Sequence, residues 1–95
     1  MTRIAWTQPA IGDLRGIRAY IARDSEAYAD SLLLEIFEAV DRLARFPRMG
    51  RVVPEWGDEE TREIIVGSYR VVYDTGADVV RILTVLHCAR QFPTP

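Results

Sequence analysis

REIIVGSYRVVYDTGADVVRILTVLHCAR, from Arg62 to Arg90, reads as three strands joined by two tight turns. Gly67-Ser68 divides the first two runs, and Thr75-Gly76-Ala77-Asp78 divides the last two. Glycine takes positive φ without a steric penalty, which short hairpin connections require. Val, Ile and Tyr fill the runs, and such side chains pack well on a pleated surface. In the last run the period of two puts Val80, Ile82 and Leu86 on one side and Leu83 and Val85 on the other. A strand apolar on both sides is expected at the centre of a sheet. Arg70 and Arg81 interrupt this apolar fabric, and His87, Cys88 and Arg90 close it.

Upstream, FPRMGRVVPEWGD (Phe46 to Asp58) holds two prolines and two glycines and reads as an irregular connection. Before it lie two helical patterns. Pro9 suits a first turn, where its missing N–H costs nothing, with Thr7 or Gln8 as the cap. Ala10, Leu14, Ile17 and Ile21 then recur at helical spacing, and Tyr20 widens the stripe. Asp24-Ser25-Glu26 is a break and a restart, with Ser25 as N-cap and Glu26 favourably placed against the helix dipole. The second helix is expected to run to about Phe46. Its seam is Ala29, Leu33, Ile36, Val40 and Leu43, broadened by Leu32, Phe37 and Ala44. Pro47 ends it. Leu32, Leu33 and Leu34 are consecutive, so at 100° per residue one of them must face outward. Arg3 to Thr7 adds a short first strand with Ile4 and Trp6 on one face. The fold class is therefore α+β: β-α-α-β-β-β, a helical hairpin packed on one face of a small, mainly antiparallel sheet.

Ninety-five residues make one domain, spanning positions 1–95, with 48% hydrophobic and 27% charged residues. No run approaches the roughly 18 apolar residues that cross a bilayer, and the N-terminus lacks a signal-peptide layout, so a cytoplasmic location is expected. One cysteine forms no internal disulfide. A net charge of −2 supplies no field to draw the chain onto nucleic acid. All twelve basic residues are arginine. One His and one Cys argue against a protein-built metal site, and no motif asks for a cofactor.

Four segments carry a resemblance to a known family. They are Trp6, Thr7, Ala10, Asp13, Leu14, Ile17 and Tyr20; Leu43, Phe46, Pro47, Gly50 and Arg51; Tyr69 to Tyr73 (YRVVY); and Val85, Leu86, His87, Ala89 and Arg90. In this order, on these elements, the chain resembles the RelE/ParE superfamily of bacterial toxins from type II toxin–antitoxin pairs, closer to the ParE branch. The resemblance implies neutralisation by a cognate antitoxin that wraps the helical hairpin, a surface that here presents Leu14, Ile17, Ile21, Leu32, Leu33 and Phe37. It also implies one of two activities. ParE-like members bind DNA gyrase, whereas RelE-like members cut messenger RNA on the ribosome without a metal.

RNA cleavage through the 2′-hydroxyl needs a base, cations on the phosphate and an acid for the leaving oxygen. By resemblance, Arg70 and Arg90 match two cations of the nuclease branch. The lysine positions before the Y-R pair are not filled, since that strand begins Thr61-Arg62-Glu63, and no Tyr or His follows Arg90. His87 is the one group that titrates naturally near neutrality, and as a base it would have to share a face with Arg70. Arg70 has a structural alternative, its fork tying the sheet to a carboxylate such as Glu63. Cys88 reads as a small core residue. Trp56, in the irregular connection, is a candidate contact residue with Arg70 and Arg90. Arg42, Arg45, Arg48 and Arg51 suit the negative end of the second helix, or a cationic patch. The expected function is a gyrase-binding toxin with no chemistry of its own. The alternatives are a RelE-like nuclease using Arg70, Arg90 and His87, and an inactive fold kept for antitoxin binding.

Overall fold

The computed structural model describes residues 1–92. The elements are β1 (Arg3–Trp6), α1 (Gln8–Ala22), α2 (Glu26–Leu43), β2 (Arg51–Val52), β3 (Thr61–Val66), β4 (Tyr69–Asp74) and β5 (Val79–His87). They form one five-stranded sheet in the order β1-β5-β4-β3-β2. Only the β1–β5 pair is parallel. The two helices pack on one sheet face, so the architecture matches the α+β expectation with one strand added. That strand is β2, two residues inside the stretch expected to be irregular, paired to Glu63 and Arg62 of β3.

The core lies between the helices and the near face of the sheet. Leu14, Leu32, Ile36, Val40 and Leu43 meet Ile64, Val71, Tyr73, Val80, Ile82 and Val85. Burial recurs at helical spacing along α2, whereas β4 is buried on both faces from Arg70 to Tyr73, as suits a strand inside the sheet. Among the three consecutive leucines, Leu32 is buried, Leu33 half-buried and Leu34 exposed. Tyr20 and Phe37, placed in the stripes by the sequence, are exposed, and Ala39 takes a core position instead. Caps form at Thr7 and Ser25. Helix α2 stops at Leu43, a few residues short of the expected end, because Arg45 and Phe46 bond back in tight terminal turns to Arg42.

Two local expectations are corrected. The turn before β5 puts positive φ at Ala77 and Asp78, both +57°, while Gly76 is not in the left-handed region. Gly67, at +58°, does use its freedom in the first hairpin. The second correction is a bulge. Val72 lies opposite Thr84 and Tyr73 opposite Ile82, so Leu83 is an extra residue in β5. The insertion reverses the side parity, and the buried face of β5 is Val80, Ile82 and Val85 rather than one unbroken alternate set. The two prolines of the closing QFPTP argue against a further helix after Arg90, a reading that for residues 93–95 lies outside the described residues. Among the described residues no helix is long and apolar enough to cross a membrane.

β1 ends at Trp6, so the outer edge of β5 beyond Ile82 has no strand to pair with. Two side chains from the start of α1 take over. Thr7 donates its hydroxyl to the carbonyl oxygens of Ile82 (2.6 Å) and Leu83 (3.3 Å) and caps Ala10 N–H. The Asp13 carboxylate accepts from Val85 N–H (3.0 Å) and the Thr84 hydroxyl. These motif residues therefore fasten helix to sheet at the bulge.

Candidate functional site

Residues directly opposite in a ladder share a face. Arg70 is paired with Ile65 and Leu86, and Glu63 with Val72 and Arg51. Arg51, Glu63, Ile65, Arg70, Val72 and Leu86 therefore occupy the sheet face away from the helices. His87 is paired with Tyr69 and stacks edge-on against its ring at 5.4 Å, on the helix side.

Arg70 is only 4% exposed. A buried guanidinium must have its N–H groups occupied, or desolvation would cost several kcal/mol (roughly). Here the fork is engaged on every side. Nε donates to Glu63 at 2.7 Å, and Nη1 and Nη2 donate to the two Glu55 oxygens at 2.8 Å each. Nη1 also donates to the carbonyl oxygen of Arg90 at 3.1 Å. The Phe92 ring covers the guanidinium at 5.1 Å, and Trp56 lies against Phe92 with ring centroids 4.5 Å apart. Phe92 N–H closes the cluster by donating to Glu55 at 3.1 Å.

Charge alternates through this cluster. Glu63, also buried, accepts from Arg51 at 2.6 Å as well as from Arg70. The Arg70 hydrogen bonds, with help from Phe92 N–H, hold the Glu55 carboxyl down at about 2. Reciprocally, Glu55 holds the Arg70 guanidinium protonated more firmly than usual, burial opposing and Glu63 assisting. The arrangement joins β3, β4, the β2–β3 connection and the C-terminal segment at one point.

The sequence-predicted residues divide accordingly. Arg70, the Arg90 backbone and Trp56 meet under the tail. The Arg90 side chain is exposed and, among the described residues, makes no hydrogen bond or ion pair. It lines a groove of about 580 Å³ together with His87, Tyr69, Asp13 and Phe92. Arg70 borders a separate depression of about 350 Å³ with Arg51, Glu55, Ile65 and Cys88. His87 Nδ1 accepts from Ala89 N–H at 3.0 Å, which assigns the neutral ring as the Nε2–H tautomer. Cys88 is exposed just past the end of β5, not in the core, where its backbone N–H closes the hairpin to Ser68. Trp56 is 37% exposed. Of the six hairpin residues, Leu14 and Leu32 are packed inside the core, Ile17, Ile21 and Leu33 are half-buried, and Phe37 is exposed.

Glu55 and Phe92 were missed by sequence reasoning. They stand 15 and 22 positions from Arg70 in chain segments without periodicity, and a carboxylate beside Trp56 was the only cue.

Residues 4–92 match the sequence model of the family described as ParE toxin of type II toxin-antitoxin system, parDE. The chain is 38% identical over 93 residues to a Sinorhizobium fredii protein bearing the toxin name Y4kP, covering 96% of this chain and 93% of the relative. It is 33% identical over 91 residues to Toxin RelE2 of Caulobacter vibrioides, covering 95% and 99%. A solved chain from the chromosomal ParDE TA system of P. aeruginosa superposes with a TM-score of 0.74 at 20% identity, covering 92% of this chain and 96% of the other. That last likeness is one of fold.

Proposed function

This chain belongs to the ParE toxin family of type II toxin–antitoxin systems, and from that premise we propose that it arrests growth by binding DNA gyrase while a cognate antitoxin holds it inactive. One observation carries the choice of a binding mechanism over RNA cleavage: the groups a nuclease would need are apart. Arg70 has its donors committed to Glu55, Glu63 and the Arg90 carbonyl, on the face away from the helices. His87 lies on the other face, with its Nδ1 lone pair already taken by Ala89 N–H. Of the two candidate arginines, Arg90 is the one whose guanidinium makes no hydrogen bond or ion pair among the described residues, and a single cation can grip a target without moving a proton. Arg90 and Trp56, exposed at the edges of the tail cluster, are the target contacts in this reading, and Arg70 positions them through Phe92 and the Arg90 backbone.

The competing reading is a RelE-like, ribosome-dependent endoribonuclease. One relative carries the RelE2 name, and Arg90 and His87 do line one groove. Purified chain assayed on gyrase supercoiling and on translating ribosomes separates the two. Loss of supercoiling with messenger intact is expected, and Arg90→Ala should weaken that inhibition about tenfold or more, as loss of a central arginine contact does. Messenger cleaved in phase with codons, and abolished by Arg90→Ala or His87→Ala, would reverse the assignment.

A further inference from the structure

Past Ile82 the outer edge of β5 has no neighbouring strand, and Thr7 and Asp13 satisfy only part of it. A residue in a strand points its N–H and C=O to the same edge, and residues two apart share that edge. Val85 N–H reaches outward to Asp13, so the Val85 carbonyl and both backbone groups of His87 face outward too. Cys88 N–H bonds inward to Ser68, which agrees with that parity. Arg90 N–H takes the His87 carbonyl at 2.9 Å. The Val85 carbonyl and the His87 N–H are left, and neither has a hydrogen-bond partner among the described residues.

These two groups border the groove of about 580 Å³ that Arg90 lines. Its opposite wall is α1, at Gly12 and Gly16. Glycine inside a helix is unfavourable against alanine. A Cβ at either position would meet nothing within 4 Å, so packing within the chain does not require the bare backbone there. The bare wall leaves room for a peptide lying along the β5 edge.

An outward acceptor and an outward donor two residues apart are what one residue of a parallel strand bonds, its N–H to Val85 and its carbonyl to His87. β1 already runs parallel to β5 along this edge and stops at Trp6. An antiparallel segment would set a donor against the occupied His87 carbonyl and an acceptor against the occupied Val85 N–H. Phosphate oxygens accept and do not donate, so a nucleic-acid backbone matches only the His87 side. We infer that the target segment gripped by Arg90 is an extended acidic peptide that adds to the β5 edge as a short parallel strand, one residue bonded between Val85 and His87. β5 runs toward Arg90, so the carboxylate that meets the Arg90 guanidinium follows the paired residue in the target sequence. The inference rests on the gyrase-binding reading and adds how the target is held. Backbone pairing to an exposed edge gives such a segment affinity, and side-chain contacts give it specificity.

The test is gyrase supercoiling with the purified full-length chain, gyrase itself being the probe. His87→Pro removes the outward N–H and leaves the ladder to β4 intact, because proline is accepted where a strand's N–H faces solvent. His87→Ala loses the same imidazole and keeps the N–H. For equal inhibition His87→Pro should need about tenfold more chain than His87→Ala, since the carbonyl of the added strand is left unpaired. Gly16→Leu fills the groove from the helix side and removes a residue that weakens α1. It should keep or raise the melting temperature while weakening inhibition about tenfold or more, and it decides the matter if circular dichroism shows His87→Pro unfolded. Folded His87→Pro equal to His87→Ala, or folded Gly16→Leu equal to wild type, overturns strand addition and leaves the gyrase reading standing. Inhibition lost in Arg90→Ala but in neither groove variant assigns Arg90 to a side-chain or phosphate contact alone and overturns it equally. A wild-type chain that leaves supercoiling untouched sinks the gyrase reading, and this inference with it.

Discussion

At the scale of the residue, Arg70 decides how mutants of this protein must be read. Removing it leaves Glu63 buried with only Arg51 and leaves Glu55 without its bidentate partner. Breaking one side of a buried ion pair costs about 3–5 kcal/mol, most of it the stranded charge. Arg70→Ala is therefore expected to lower the urea midpoint sharply. Replacing Arg70, Glu63 and Glu55 together by Met, Leu and Gln should cost much less, because no buried carboxylate is then stranded. A toxicity loss in Arg70→Ala thus reports folding before it reports target contact, and Arg90→Ala is the cleaner probe. The same cluster sets a pH response. The Glu55 carboxyl is depressed from 4.5 to about 2, so its contribution is complete above 4.5 and is lost as pH falls through about 2. In a Trp6→Phe background, fluorescence of Trp56 against Phe92 should change over that acid window. Glu55→Gln should abolish the change. A transition centred near 4.5 in the parent would show that the Arg70–Glu55 fork is not formed.

At the scale of the element, the motif residues are joints. Asp13→Ala frees the Val85 N–H and the Thr84 hydroxyl at the bulge, and a part-buried donor left without its charged acceptor costs about 1–3 kcal/mol. Asp13→Asn should recover part of that loss in thermal melts, since the amide oxygen still accepts. Gly50 is a joint of another kind. A Cβ there would lie 2.6 Å from both the Glu63 carbonyl oxygen and the Tyr73 hydroxyl, and Gly50 N–H donates to that hydroxyl at 3.0 Å. Gly50→Ala should destabilise by about 1–3 kcal/mol through overpacking, with β2 pulled from the edge of β3. Hydrogen exchange across Arg51–Val52 and Arg62–Glu63 would register it. The helices were legible in the sequence because their apolar spacing and caps are local facts. The bulge was not, because Leu83 is as apolar as its neighbours and only pairing with β4 reveals which residue is extra. Likewise the loop before β5 carries a glycine, yet the positive φ falls on Ala77 and Asp78, since the geometry between the strands, not the presence of glycine, selects the residue that bends.

At the scale of the molecule, the helix face of the sheet is covered by a continuous core, whereas the other face depends on side chains drawn from distant segments. The order of the elements was legible because two amphipathic helices and three apolar strands have few ways to bury each other. The tail cluster was not, because it joins positions 55, 63, 70 and 92 through contacts that no periodicity marks. The C-terminal segment up to Phe92 is consequently part of the fold, and its attachment can be tested without reference to any target. Trypsin cuts after arginine, and the Arg90–Gln91 bond lies between the Arg70-bound carbonyl of Arg90 and the Glu55-bound amide of Phe92. Cleavage there requires the segment to lift from Arg70 and Trp56. Phe92→Ala removes an aromatic pair and a cation–π contact, each worth about 0.5–1.5 kcal/mol, and together a shift of roughly tenfold or more in the opening equilibrium. When opening and closing are fast relative to cutting, the cleavage rate follows that equilibrium. Cutting after Arg90 is therefore expected to accelerate by a similar factor in Phe92→Ala, while cleavage at arginines of the helices stays slow. If all sites accelerate together, the segment opens only with global unfolding; if none does, Phe92 does not hold it.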